Sequence, residues 1–120
     1  MNYVDGFVLS VPAERLADYK KMAEIAAKVW KKHGALEYRE CVQDDVTDNG
    51  FCATFPQTFK PKDGELMVFA YVVYYSREHR DEVNAKVHAD KDLLESCDPE
   101  NMPFDCKRMT YGGFKTIVEA

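Results

Sequence analysis

The stretch Glu65-Leu-Met-Val-Phe-Ala-Tyr-Val-Val-Tyr-Tyr75 carries no charge after its first residue and reads as a strand throughout. Successive side chains of a strand point to opposite faces of the sheet. Met67, Phe69, Tyr71, Val73 and Tyr75 therefore share one face, and Leu66, Val68, Ala70, Val72 and Tyr74 share the other. Both sets are apolar, so both faces need cover. Helices on one side of an antiparallel sheet would leave the second side wet, and a second copy of the chain is the economical cover for it. The stretch thus predicts a central strand and a homodimer meeting through the face that bears Met67, Phe69, Tyr71 and Val73.

Working outward, Ser76 is placed to cap a helix from about Arg77 to Ala89. Val83 and Val87 would face inward, with Arg80 and Asn84 on a neighbouring stripe. On the other side, residues 44–64 dissolve into Asp, Thr, Asn, Gly, Pro and Lys around two short apolar pieces. A connection this long is either a small extra hairpin or a functional, mobile loop. Before it, residues 36–43 alternate, with Leu36, Tyr38, Glu40 and Val42 on one face and Glu37, Arg39 and Cys41 on the other. This is the more polar strand and suits a sheet edge.

Two elements precede it. Tyr3 to Val11 reads as a strand rich in Val, Phe and Leu, and Pro12 cannot continue its ladder. Leu16, Tyr19, Ala23, Ala26, Ala27 and Trp30 then recur at helical spacing, and Lys31, Lys32 and His33 before Gly34 mark the helix end. Beyond Ala89, Leu93 and Leu94 begin a short turn or helix, Asp98-Pro99 and Met102-Pro103 mark irregular chain, and residues 106–118 return to strand character with a break at Gly112-Gly113. The order is βαββαβ. It predicts a single α+β domain over residues 1–120, a ferredoxin-like unit with an antiparallel sheet.

Composition narrows the function classes. Apolar residues make up 46% and charged residues 31% of the chain, and no window approaches the ~18 uncharged apolar residues of a membrane helix. The chain reads as soluble, with no membrane partner. Its first residues show no basic segment ahead of an apolar core, so the expected compartment is the cytoplasm. The net charge of -5, with dispersed Lys and Arg, disfavours nucleic acid. The aromatic strand motif of RNA-binding sheets is not matched by Lys107 to Phe114, which leaves RNA binding a remote alternative. Cys41, Cys52, Cys97 and Cys106 form no Cys-x-x-Cys pair, and His33, His79 and His88 show no ligand spacing. Reduced thiols, no metal and no cofactor are expected.

Several stretches carry a family resemblance: Tyr3-Val-Asp-Gly-Phe-Val, Gly34-Ala35, Asp44-Asp45-Val46, Arg80-Asp81 with Asn84, and above all Met102-Pro-Phe-Asp-Cys-Lys-Arg-Met-Thr-Tyr-Gly-Gly-Phe114. Together they resemble the YbaA-like bacterial family of unknown function, placed among the dimeric α+β barrels. The likeness spans essentially the whole chain, with Cys106 where the family's run carries glycine. It implies a dimeric α+β barrel and supplies no catalytic residue.

Candidate site residues come from the sequence itself. Asp5 interrupts an apolar strand, where a carboxylate must find partners. With the last strand beside the first, Arg108 and Tyr111 become its expected neighbours. Either the three form an acid or base with an anion-holding guanidinium in a sheet-lined cleft, or they form a pair that fixes strand register. Tyr71 would add an aromatic wall, and Gly112 and Gly113 would admit a ligand close to the backbone. On this reading Asp5, Arg108 and Tyr111 are the catalytic candidates, and the ligand is a small, partly apolar anion. The alternative is a noncatalytic dimer that binds a protein through the 44–64 loop.

Overall fold

The computed structural model describes residues 1–120. Four antiparallel strands, β1 (Tyr3–Pro12), β2 (Glu37–Val42), β3 (Glu65–Tyr74) and β4 (Thr110–Lys115), lie in the order β2-β3-β1-β4. Helix α1 spans Leu16–Lys32, α2 Phe55–Phe59, α3 Arg77–His88 and α4 Lys91–Ser96. The fold is the ferredoxin-like α+β arrangement expected from the element order, with β3 and β1 central and the polar β2 at an edge.

Register fixes which side chains share a face. Tyr3 pairs with Tyr74, Asp5 with Val72 and Leu9 with Val68, while Asp5 meets Gly113 and Phe7 meets Tyr111 across β4. The odd residues of β1, the even residues of β3 and Tyr38, Glu40 and Val42 of β2 thus face α1 and α3. Two core clusters form there. One joins Val29, Ala35, Val72, Tyr74, Val83 and Val87, and the other joins Leu9, Val11, Tyr19 and Val68. Both inward residues expected of α3, Val83 and Val87, are among the most buried in the chain.

The helix ends follow the anticipated chemistry. Gly34 adopts φ 115°, a conformation costly for any residue with a Cβ, and lets the Ala35 N–H reach the Trp30 carbonyl at 3.0 Å. Ser76 Oγ accepts the His79 N–H at 3.1 Å to start α3.

Two stretches differ from expectation. Residues 44–64 contain no hairpin, because Thr54-Phe-Pro-Gln57 makes a capping box that starts α2: Thr54 Oγ1 accepts from the Gln57 N–H, and Gln57 Oε1 accepts from the Thr54 N–H. Phe55 of this helix packs edge-on against Phe69, 6.1 Å between ring centres. The last strand is shorter than residues 106–118. Asp105 Oδ1 accepts the Lys107 N–H at 3.0 Å and turns Cys106–Arg108 into a 3-10 turn, so pairing begins only at Thr110.

The face turned away from the helices is open and mainly apolar on β1, β3 and β4, with the ion pair of Glu37 and Arg39 along β2. It carries half-buried Val4, Val8, Tyr71 and Val73, with Phe69 44% and Phe114 65% exposed. Met67, expected there as an interface residue, is already buried within the chain at 3% exposure.

Candidate functional site in the helix-sheet cleft

Asp5 is buried at 2% exposure on the helix side, and its partner comes from α3 rather than from β4. Arg80 Nη1 donates to Asp5 Oδ1 at 2.9 Å, Nη2 donates to the Tyr3 hydroxyl at 3.3 Å, and the guanidinium lies 4.9 Å from the centre of the Tyr3 ring. Beside this pair, Trp30 Nε1 donates to the Tyr74 hydroxyl at 2.9 Å, and that hydroxyl donates to Asn84 Oδ1 at 3.1 Å. Burial raises the Asp5 pKa, against the charge and hydrogen bond of Arg80.

The expected neighbours are dispersed. Arg108 forms a bidentate pair with Glu65, at 2.8 and 2.7 Å. Glu65 sits opposite Pro12, seven positions along β1 from Asp5 and roughly 23 Å away at strand rise, so Arg108 and Asp5 do not meet. The cause is the register of β4: Asp5 meets Gly113, and Arg108 lies ahead of the first paired residue, Thr110 opposite Val8, in the 3-10 turn. Tyr111 does share the Asp5 face, stacked on Phe7 with ring centres 5.8 Å apart. Tyr71 lies on the opposite face, where its hydroxyl donates to Glu37 at 3.1 Å.

Gly112 and Gly113 also point to different faces. At Gly113 the close approach is made by Tyr3, whose hydroxyl and ring occupy the space a Cβ would need. The glycine break thus admits the ring on which Arg80 rests.

The structure instead builds a cleft that the sequence analysis did not single out. On α1, Ala23 and Ala26 face Ala70 of β3, and three small side chains across one layer leave a cavity of about 230 Å³ between the two core clusters. Sixteen residues line it and fifteen are apolar, among them Phe7, Trp30 and Tyr38. The exception is Glu40. Its Oε1 accepts from the Tyr19 hydroxyl at 2.5 Å and its Oε2 from the Tyr38 hydroxyl at 2.6 Å. Burial, reinforced by the adjacent Glu40, pushes both phenols well above their usual range, which keeps them protonated and donating.

Glu40 also lines a second cleft of about 460 Å³, bounded by α1 and β2 with Lys20 and Glu24 at its margin. The Tyr19-Glu40-Tyr38 trio therefore stands between an outer cleft and an inner chamber. The chamber's far wall is the chain from Leu93 to Met109: Phe104 packs edge-on against Tyr19, and Arg15 donates to the carbonyls of Met102 at 3.0 Å and Asn101 at 3.3 Å. A signal for this site lay in the alternation of β2, where the apolar face includes a glutamate between Tyr38 and Val42.

A four-stranded antiparallel sheet with its helices on one face is an α+β fold. The crystal structure of a mutant of SnoaB, a cofactor-independent oxygenase from Streptomyces nogalater, has this fold: it superposes with a TM-score of 0.54 at 13% identity, covering 98% of this chain and 95% of that one. At that identity the likeness establishes the fold alone. The chain belongs to the family described as "Protein of unknown function (DUF1428)", whose family model matches residues 2–106. It is 44% identical to "Uncharacterized protein YbaA" of Escherichia coli (strain K12) over 119 residues, 99% of each chain, and equally similar to YbaA of Shigella flexneri. The YbaA-like resemblance read from the sequence is thereby shown.

Proposed function

We propose that this protein binds, and as an enzyme would transform, a small and mostly apolar molecule in the chamber between α1 and the sheet. The observation that carries the reading is a cavity of about 230 Å³ whose apolar lining holds one carboxylate. Concave, mainly apolar sites with few convergent polar groups are the usual form of a small-molecule site. An anionic ligand loses its support, because Arg108 is engaged by Glu65 and Arg80 by Asp5. Asp5, Arg80 and Tyr3 read better as the fastening of α3 to the sheet than as reacting groups.

The test is a thermal-shift series with bicyclic aromatic probes on the native chain and on Ala26→Leu, which fills the chamber. Trp30, the only tryptophan, lines the chamber and supplies a fluorescence signal for the same titration. Stabilisation and a Trp30 response in the native protein, both lost in the filled variant, are expected. Equal responses in the two proteins would reject the chamber as the site.

A homodimer through the open sheet face is the accompanying reading for the whole molecule. Phe69 and Phe114 support it, since two large side chains this exposed beside Val4, Val8, Tyr71 and Val73 make an apolar patch of the kind that marks an interface. The 44–64 loop has less claim as an independent protein-binding device, because Phe55 is already laid against Phe69 at the margin of that face.

A further inference from the structure

We infer that the chamber selects a neutral aromatic or enolic hydroxyl compound, anchored through its O–H to the Glu40 carboxylate, and discriminates against carboxylates and ammonium compounds. This inference rests on the chamber being a ligand site, and goes beyond it by naming the ligand class.

A carboxylate offers about four acceptor positions. Tyr19 takes one on Oε1 and Tyr38 takes one on Oε2, at 2.5 and 2.6 Å. Two positions remain, and Glu40 borders both the inner chamber and the outer cleft. The two phenols fix the carboxylate in place, so an incoming donor meets an acceptor already oriented. A hydrogen bond to an ionised group contributes more than one between neutral groups.

The same inventory excludes other classes. Glu40 is the one charged member of the chamber wall, so a ligand carboxylate would find no cation inside and would be set against a like charge. An ammonium group brings three donors and a large desolvation cost into a wall whose one charged acceptor already has two of its positions taken by Tyr19 and Tyr38. A hydroxyl on an aromatic or enolic frame needs one acceptor, and its remaining surface matches Phe7, Trp30, Ala70 and Val72. Flat aromatic bodies also suit a chamber whose width is set by alanines at 23, 26 and 70.

The geometry further assigns the way in. The outer cleft between α1 and β2 reaches Glu40 from the solvent side, and the opposite wall is tied to Arg15 through the Met102 and Asn101 carbonyls. A ligand arriving from the outer cleft meets the Tyr19-Glu40-Tyr38 trio before it meets the apolar chamber.

The test compares four probes of one size, 2-naphthol, 2-methoxynaphthalene, 2-naphthoate and 2-naphthylmethylammonium, by calorimetry on the native chain and on Glu40→Gln. Naphthol should bind about tenfold or more tightly than its methyl ether, the difference expected of one charge-assisted hydrogen bond. The two charged probes should be weakest, and Glu40→Gln should remove most of the naphthol preference while leaving the ether unchanged. Equal binding of naphthol and ether, tighter binding of either charged probe, or a preference that survives Glu40→Gln would overturn the inference and leave the chamber standing as an apolar site. Failure of all four probes to bind would overturn both readings. Should Glu40→Gln not fold, Tyr38→Phe decides instead: loosening the oriented carboxylate should lower naphthol affinity and leave the ether alone, and an unchanged or higher naphthol affinity overturns the assignment.

Discussion

Arg108 and Glu65 show what a single pair does when it is taken out of the role expected for it. The guanidinium, by its paired hydrogen bonds, lowers the Glu65 carboxyl from its usual range to about 2. A carboxyl whose pKa is depressed in the folded state adds stability above its unfolded pKa and loses it as pH falls through the folded value. The pair's contribution should therefore be complete near neutrality and fade between about pH 4.5 and pH 2. Thermal melts across that range should show a shallower acid limb for Arg108→Ala than for the native chain, and identical limbs would refute the linkage. The sequence marked Asp5 as needing partners, but it could not name the right one. Adjacent strands suggested Arg108 for Asp5, whereas the real partner, Arg80, crosses from another layer of the fold. Glu40 was placed on the correct face of its strand, yet its importance depends on Tyr19 and on facing alanines, which strand alternation does not bring together.

Among the elements, those governed by local chemistry were legible. Ser76 starts α3, Gly34 ends α1, and β3 covers all but the last residue of the segment that decided the fold. The two misread stretches share a cause, because in both a side chain captures a backbone N–H before a strand can. Thr54 and Gln57 do so for α2, and Asp105 does so for the turn that shortens β4. Such local captures compete directly with sheet ladders. The consequence for the site is concrete. Because the 3-10 turn precedes β4, Phe104 and Met109 lean over the chamber as part of its wall instead of continuing the sheet.

For the whole molecule the chief prediction concerns the open sheet face. Phe69→Glu would place a charge in the proposed interface without touching the helix-side core, since Phe69 pairs with Val8 and Cys41 on the outward side. Light scattering of the native chain at micromolar concentration should give twice the chain mass, and the variant should give the single mass with its far-ultraviolet circular dichroism retained. A native chain of single mass would remove the dimer. The chamber, lined by helix-side residues, is built within one chain and should still take its probes in the dissociated variant.

The facing alanines at 23, 26 and 70 have a mechanical consequence as well. Across a chamber of about 230 Å³ α1 is packed less closely on the sheet than a filled core would be, and loosely packed space of this kind disappears when the chain unfolds. Unfolding volumes scale with such voids and are of order -20 to -100 mL/mol for folded domains. Hydrostatic compression should accordingly unfold the native chain more readily than Ala26→Leu, and a ligand seated in the chamber should confer the same resistance. The gap between α1 and the sheet would then be measurable as a volume, by pressure alone, before any occupant has been identified.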